Sequence, residues 1–185
     1  NGFVFGNPRL DWGYESAPQP HLGGRTIYYP RGKALGGSSI VNGMIYMRGV
    51  PADYDGWRQM GLQGWGYDDL LPYFLSSEAS RDRKDEFHGR SGPLRCEPAA
   101  NFGILDQAFI DAAVAAGHDH LDDFNGRHRT GVARADSTVS KGVRQSSAIA
   151  YLGSRKPNLA LLTNRHISRI RIENCLLYTS DAADD

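Results

Sequence analysis

The chain has 185 residues, about one domain's worth, of which 40% are hydrophobic and 23% charged; such values exclude wholesale disorder, collagen and low-complexity scaffolds. No apolar run approaches the roughly 18 residues of a membrane span, and two cysteines, Cys96 and Cys175, are too few for a disulfide-built secreted scaffold. The formal net charge is zero, but residues 125–173 hold ten Lys and Arg against two acidic residues, a local +8, which reads as a solvated face or an anion-binding side, with a nucleic-acid surface as the alternative.

In chain order, Thr26 to Tyr29 is β-branched and aromatic and ends at Pro30, a short strand. A glycine-rich turn follows at Gly32 to Gly37, after which Ser38 or Ser39 is placed to cap a short helix leading to Ile40 and Val41. Asp53 to Met60 reads as a helix stopped by Gly61. Asp68 and Asp69 open a second helix running through Leu75, with Pro72 marking its early turns or kinking it. Residues 78–92 are charged and glycine-containing, an exposed connection. Ile104 to Ala116 is the strongest helix, with Leu105, Phe109 and Ala113 stacked at i, i+4 and Gly117 as its stop. Residues 119–130 read as polar loop and Val132 to Val139 as a strand. Ser146 or Ser147 caps a short helix through Leu152, closed by Gly153. Leu159–Thr163 and Ile167–Ile172 read as two strands around the turn Asn164-Arg165-His166. The class is mixed α/β without regular βαβ alternation.

Both ends look unnatural. The chain starts at Asn1 with its first methionine at Met44, as if inside a longer reading frame, and Cys175 to Asp185 resembles an adaptor translated in frame, a non-native tail set aside from fold reasoning. No targeting segment is visible. The cytoplasm is therefore the expected location, with membrane association as the alternative.

The chemistry centres on Pro30 to Gly49. Gly36-Gly37 lets backbone N–H groups approach a ligand closely, Ser38 and Ser39 follow, and Arg31 and Lys33 add positive charge. These features fit an anion such as a phosphate, and equally a serine-capped structural turn. A P-loop is excluded, because Ile27 and Ala34 stand where it needs Gly and Ser/Thr. No G-x-G-x-x-G opens a helix.

The run Gly32-Lys33-Ala34-Leu35-Gly36-Gly37-Ser38-Ser39, with Asn42, Tyr46, Gly49 and Asp55, resembles the first signature of the glucose–methanol–choline oxidoreductases. Trp12-Gly13-Tyr14-Glu15, Trp65 to Phe74, Phe87-His88-Gly89, Gly92-Pro93-Leu94, Asp123-Phe124-Asn125-Gly126 and Ser146-Ser147-Ala148 agree with it. The resemblance spans residues 1–174 and is nearest the choline dehydrogenase-like branch. It implies an internal fragment of a flavoenzyme. Residues 1–75 would be part of a Rossmann-like FAD-binding domain, 76–153 a connection and the start of the substrate domain, and 154–174 strands returning to the FAD domain. The tail at 175–185 stands outside it.

The resemblance also implies FAD, with Gly37 and Ser38 at its phosphate side, Asn42, Gly43, Met44 and Ile45 along the ring, and Ile167 at the adenine. Val41 stands where covalent members carry histidine, so the flavin is expected to be non-covalent. The implied reaction is oxidation of a small-molecule alcohol by hydride transfer to flavin, with an oxidase or lyase of the same family as alternatives and a non-catalytic anion- or nucleic-acid-binding module as the rival class. The electron acceptor is not specified. The catalytic base is implied to lie beyond residue 174, so no catalytic residue is assigned and the chain alone is expected to be inactive. No metal site is expected: His118, His120 and His128 with Asp119, Asp122 and Asp123 match no metal spacing, and an EF-hand would put Leu121 and Val132 at ligand positions. His88 reads as structural, His166 as solvent-facing and Cys96 as a small apolar group.

Overall fold

The computed structural model describes residues 5–100, 102–153, 157–173 and 176–181. The chain divides into two compact units, residues 1–153 and 154–185.

In the first unit, β1 (Tyr14–Glu15) pairs antiparallel with β2 (Tyr28–Tyr29). The glycine-rich turn follows β2 and ends in a single 3-10 turn at Gly37–Ile40. Then come β3 (Ile45–Tyr46), α1 (Pro51–Gln59), α2 (Tyr67–Ser77), β4 (Glu78–Ser80), β5 (Leu94–Pro98) and α3 (Ile104–Ala115). The three helices share one start device. An aspartate in the first turn accepts the backbone N–H that precedes it: Asp53 from Val50 at 2.9 Å, Asp69 from Gly66 at 3.0 Å, Asp106 from Gly103 at 2.7 Å. Each carboxylate satisfies an orphan donor and lies at the positive end of the helix dipole. Gly61 and Gly117 follow α1 and α3 at φ +99° and +95°, the left-handed conformation that glycine adopts without cost. Pro72 sits inside α2 without ending it.

A four-stranded sheet has the order β3-β6-β5-β4, where β6 is Asp136–Ser137. β6 is antiparallel to both neighbours, and β4 runs parallel to β5. The expected strand Val132–Val139 is broken. Only β6 and then β7 (Val139–Ser140) form, and β7 turns back on β8 (Val143–Arg144). Lys141 and Gly142 make that turn at φ +51° and +75°, the two-residue hairpin geometry that matches strand twist. The last helical turn, Ala148–Leu152, is a π-turn.

Two segments expected to be exposed are partly buried. Glu78, His88 and Gly89 are buried at the ends of 78–92, and Leu121, Asp123 and Asn125 in the loop 119–130. The glycines show how tightly the first segment packs: a Cβ at Gly89 would lie 1.9 Å from the Leu75 carbonyl oxygen, and one at Gly92 2.3 Å from the Ser77 carbonyl carbon. The reverse holds on α3. Only Ile110 is buried, whereas Ile104, Leu105 and Phe109 of the expected apolar face are exposed.

The second unit is a hairpin of β9 (Ile167–Glu173) and β10 (Leu176–Asp181). Leu159–Thr163, the expected partner of β9, is not a strand. β9 pairs instead with the segment set aside as tail, because strand pairing needs only a complementary backbone edge and a short connection. Cys175 and residues 182–185 lie outside the described residues.

Candidate functional site

The loop from Gly32 to Ile45 is shaped by close backbone approach. A Cβ on Gly32 would sit 2.2 Å from the Gly37 carbonyl oxygen, so this position admits only glycine. Gly36 and Gly37 follow at φ +96° and +52°. Neither serine caps a helix as expected. Ser39 Oγ donates back to the Gly36 carbonyl at 2.5 Å, and Ser38 Oγ accepts from the Gly32 N–H at 3.3 Å. The two cations beside the turn stack on aromatic rings, Arg31 over Tyr29 at 4.0 Å and Lys33 over Trp12 at 4.7 Å. Asp11 anchors the incoming chain. It accepts from the Tyr28 hydroxyl and from the Gly13 and Arg31 N–H groups, which hold its carboxyl well below the usual carboxylate range.

Beyond the turn, Val41 is buried. Asn42 Oδ1 accepts the Met44 N–H at 3.2 Å. Met44 is held at φ +64°, unusual for a side chain of its size, and its carbonyl accepts from the Thr138 N–H at 2.7 Å. Gly43, between them, faces open space: no atom lies within 4 Å of where a Cβ would be. Gly37 faces open space too, and Ile45 and Met47 are 65% and 54% exposed. Thus Gly37, Ser38, Asn42, Gly43, Met44 and Ile45 form one continuous strip in the first unit. Ile167 is the first residue of β9, in the other unit.

Sequence reasoning missed what holds this strip. Arg144 Nη1 donates to the Ser39 carbonyl and to Asn42 O and Oδ1, and Ser147 bonds Ser39 and Gly36. Four cations of the basic segment are similarly committed inside the chain. Arg129 and Arg134 donate to the Gly49 and Ala99 carbonyls, Arg127 pairs with Glu86, and Arg144 holds the loop.

Directly behind β3 lies a buried polar cluster. Glu78, with 0% exposure, accepts from Arg48 Nη2 and the Gly89 N–H, both at 2.7 Å, and its other oxygen lies 3.1 Å from His88 Nδ1. His88 Nε2 faces Asp123 at 3.5 Å. Asn125 closes the ring, accepting the Arg48 N–H and donating to the Tyr46 carbonyl. Burial by itself lowers the His88 pKa, but the Asp123 and Glu78 carboxylates outweigh it and lift it to about 9. Burial raises Asp123, and the imidazolium and the Asn125 N–H outweigh that, bringing it down to about 2. His88 is therefore the cation of a buried ion pair, which fits the structural role read from the sequence. Asp85, His88 and Asp123 bring three possible ligand atoms within 4.8 Å of one another, and a metal bound there would have to displace the proton that His88 holds between Glu78 and Asp123. Tyr46 and Cys96 are both pushed up to about 12 by burial.

Comparison with known proteins identifies the family. The family profile described as GMC oxidoreductase matches residues 15–177. An oxygen-dependent choline dehydrogenase of Brucella ovis is 43% identical over 154 residues, 82% of this chain and 28% of that protein. One from Xanthomonas campestris pv. campestris is 41% identical over 167 residues, 89% of this chain and 30% of that protein. Among solved structures, pyridoxine 4-oxidase from "Mesorbium loti" superposes with a TM-score of 0.81 at 34% identity, over 89% of this chain and 33% of that one. An FAD-dependent oxidoreductase from Chaetomium thermophilum has a TM-score of 0.81 at 25% identity, over 97% of this chain and 36% of that one. The chain thus spans about a third or less of the length of these relatives. With the family profile matching most of its length, this chain belongs to the GMC oxidoreductases, matching their FAD-binding region.

Proposed function

We propose that this chain is a span of an FAD-dependent enzyme that oxidises a small-molecule alcohol, choline-like in type, and that the strip Gly37 to Ile45 is its flavin wall. The observation that carries the reading is the open face of that strip. Gly37 and Gly43 present backbone with no protein atom where a side chain would be, next to the exposed apolar Ile45. A flat, largely apolar ring with polar edges suits such a surface, since glycine backbone permits close approach and offers N–H and C=O groups to ring edges.

In this reading Gly37 and Ser38 hold the phosphate side, and Asn42, Gly43, Met44 and Ile45 line the ring. Residues 1–75 contribute to the FAD domain and 76–153 begin the substrate domain. With valine where covalently flavinylated members of the family carry histidine, the flavin of this reading is held without a covalent bond. When bound, FAD supplies the hydride acceptor. The work of this chain is positioning. Tying back the Ser39, Asn42 and Met44 carbonyls fixes which backbone groups the strip presents. A fixed wall matters because about 1 Å of misplacement between donor and acceptor costs on the order of a hundredfold in rate. The base that accepts the alcohol proton is supplied from outside this chain.

The test is anaerobic addition of choline, then of other small primary alcohols, to the full-length protein containing this chain, following loss of the oxidised-flavin absorbance. Bleaching by an alcohol supports the reading. A protein that purifies without flavin and takes none up, or a flavin that no alcohol bleaches, overturns it.

A further inference from the structure

The hairpin that follows β6 grips the strip at two points. At one, the Thr138 N–H donates to the Met44 carbonyl at 2.7 Å and Thr138 Oγ1 approaches it at 3.3 Å. At the other, a single nitrogen, Arg144 Nη1, reaches Asn42 O and Asn42 Oδ1, both at 2.8 Å, and Ser39 O at 3.2 Å. The two grips belong to one rigid piece. Thr138 O accepts the Gln145 N–H at 2.8 Å, and Val139 pairs with Arg144 across the hairpin. Asn42 passes the hold onward, because the same Oδ1 accepts the Met44 N–H. Gly43 is left suspended between two clamped carbonyls, its open face outward.

We propose that Arg144 is a positioning residue for the cofactor: it fixes the Asn42–Met44 backbone that would otherwise be free to rotate its carbonyls toward the ring. This rests on the flavin-wall reading above. The Nη1 carries two hydrogens for three oxygens, so its charge matters more than the guanidinium fork. A lysine, whose single nitrogen carries three donors, retains the essential element. An uncharged chain of similar length does not. The partners are carbonyls and an amide oxygen with no carboxylate among them, so removing the cation leaves no uncompensated charge, and the fold should tolerate its loss.

The experiment uses the full-length protein stripped of flavin and titrated with FAD, for wild type, Arg144→Met and Arg144→Lys, with thermal unfolding of each apoprotein as control. The wild-type arm tests the flavin-wall reading, and the variant arms test the role of Arg144. Expected are a rise in FAD Kd of about 10- to 100-fold for Arg144→Met, the range for lost hydrogen bonds to a charged group, little change in apoprotein unfolding, and recovery of most of that affinity by Arg144→Lys. Wild-type Kd in Arg144→Met, or equal weakness in Met and Lys variants, overturns the assignment. Should Arg144→Met fail to fold, Arg144→Gln takes its place, since it keeps an N–H donor but removes the charge at the Asn42 and Ser39 carbonyls. A weakened FAD affinity with normal unfolding then supports it, and unchanged affinity refutes it. A wild-type apoprotein that takes up no FAD removes both this inference and the reading beneath it.

Discussion

Protonation of His88 should be visible as a pH-dependent loss of stability on the alkaline side. The imidazole is fully buried between Glu78 and Asp123, at 3.1 and 3.5 Å. Its pKa is raised from 6.5 to about 9. Because the folded protein binds this proton more tightly than the unfolded chain, its contribution is complete below pH 6.5, declines as pH rises from 6.5 towards 9, and is gone above that. At about 1.4 kcal/mol per tenfold change in proton affinity, the full amplitude is about 3 kcal/mol. The assay is urea unfolding of the wild type and of His88→Gln from neutral pH to about pH 10. Glutamine can still donate to Glu78 but leaves the Asp123 carboxylate without its cation, so the variant should be less stable by about 2–3 kcal/mol at neutral pH and should lack the alkaline slope. Parallel pH profiles for the two proteins would show that His88 does not carry the titration.

Other outcomes can be read separately. Gly43→Val should leave apoprotein stability within about 0.5 kcal/mol, because its Cβ meets no protein atom, yet cut flavin content far more than Cys96→Ser does; normal flavin content in folded Gly43→Val would refute the contact. Acid precipitation of the full-length protein should leave the flavin in the supernatant, and flavin in the pellet would mean a covalent link. Gly32→Ala should destabilise by about 1–3 kcal/mol through overlap with the Gly37 carbonyl, measured as a fall in unfolding midpoint; an unchanged midpoint would show that the turn can relax. The chain expressed alone should show no alcohol-dependent dye reduction with added FAD, and reduction above a flavin-only blank would place a base within it.

The helices were legible because their signals are local. An aspartate in the first turn and a glycine stop lie within a few residues of what they act on, as at Asp53 and Gly61 or Asp106 and Gly117. The glycine strip was legible for the same reason, although its serines turned out to bond backward rather than cap. Glu78, His88 and Asp123 were not legible as a unit: a charge alone reads as surface, and its burial depends on partners 10 and 35 residues away. The motifs Phe87-His88-Gly89 and Asp123-Phe124-Asn125-Gly126 carried the signal, but nothing in either names the other. Arg144 was hidden in the same way, as one of ten cations in a basic stretch. The strand at 159–163 failed because alternation identifies a face, not a pairing partner.

The tethers of the strip lie 94 to 111 residues downstream of it. On a ribosome adding about 5–20 residues per second, the nascent loop emerges roughly 5–20 s before the hairpin that shapes it. Until then nothing downstream fixes the loop, and glycine at positions 36, 37 and 43 leaves its backbone conformationally free. If the strip is the flavin wall proposed above, the ring would meet no shaped surface until residue 147 has been made, and chain order alone would time cofactor loading.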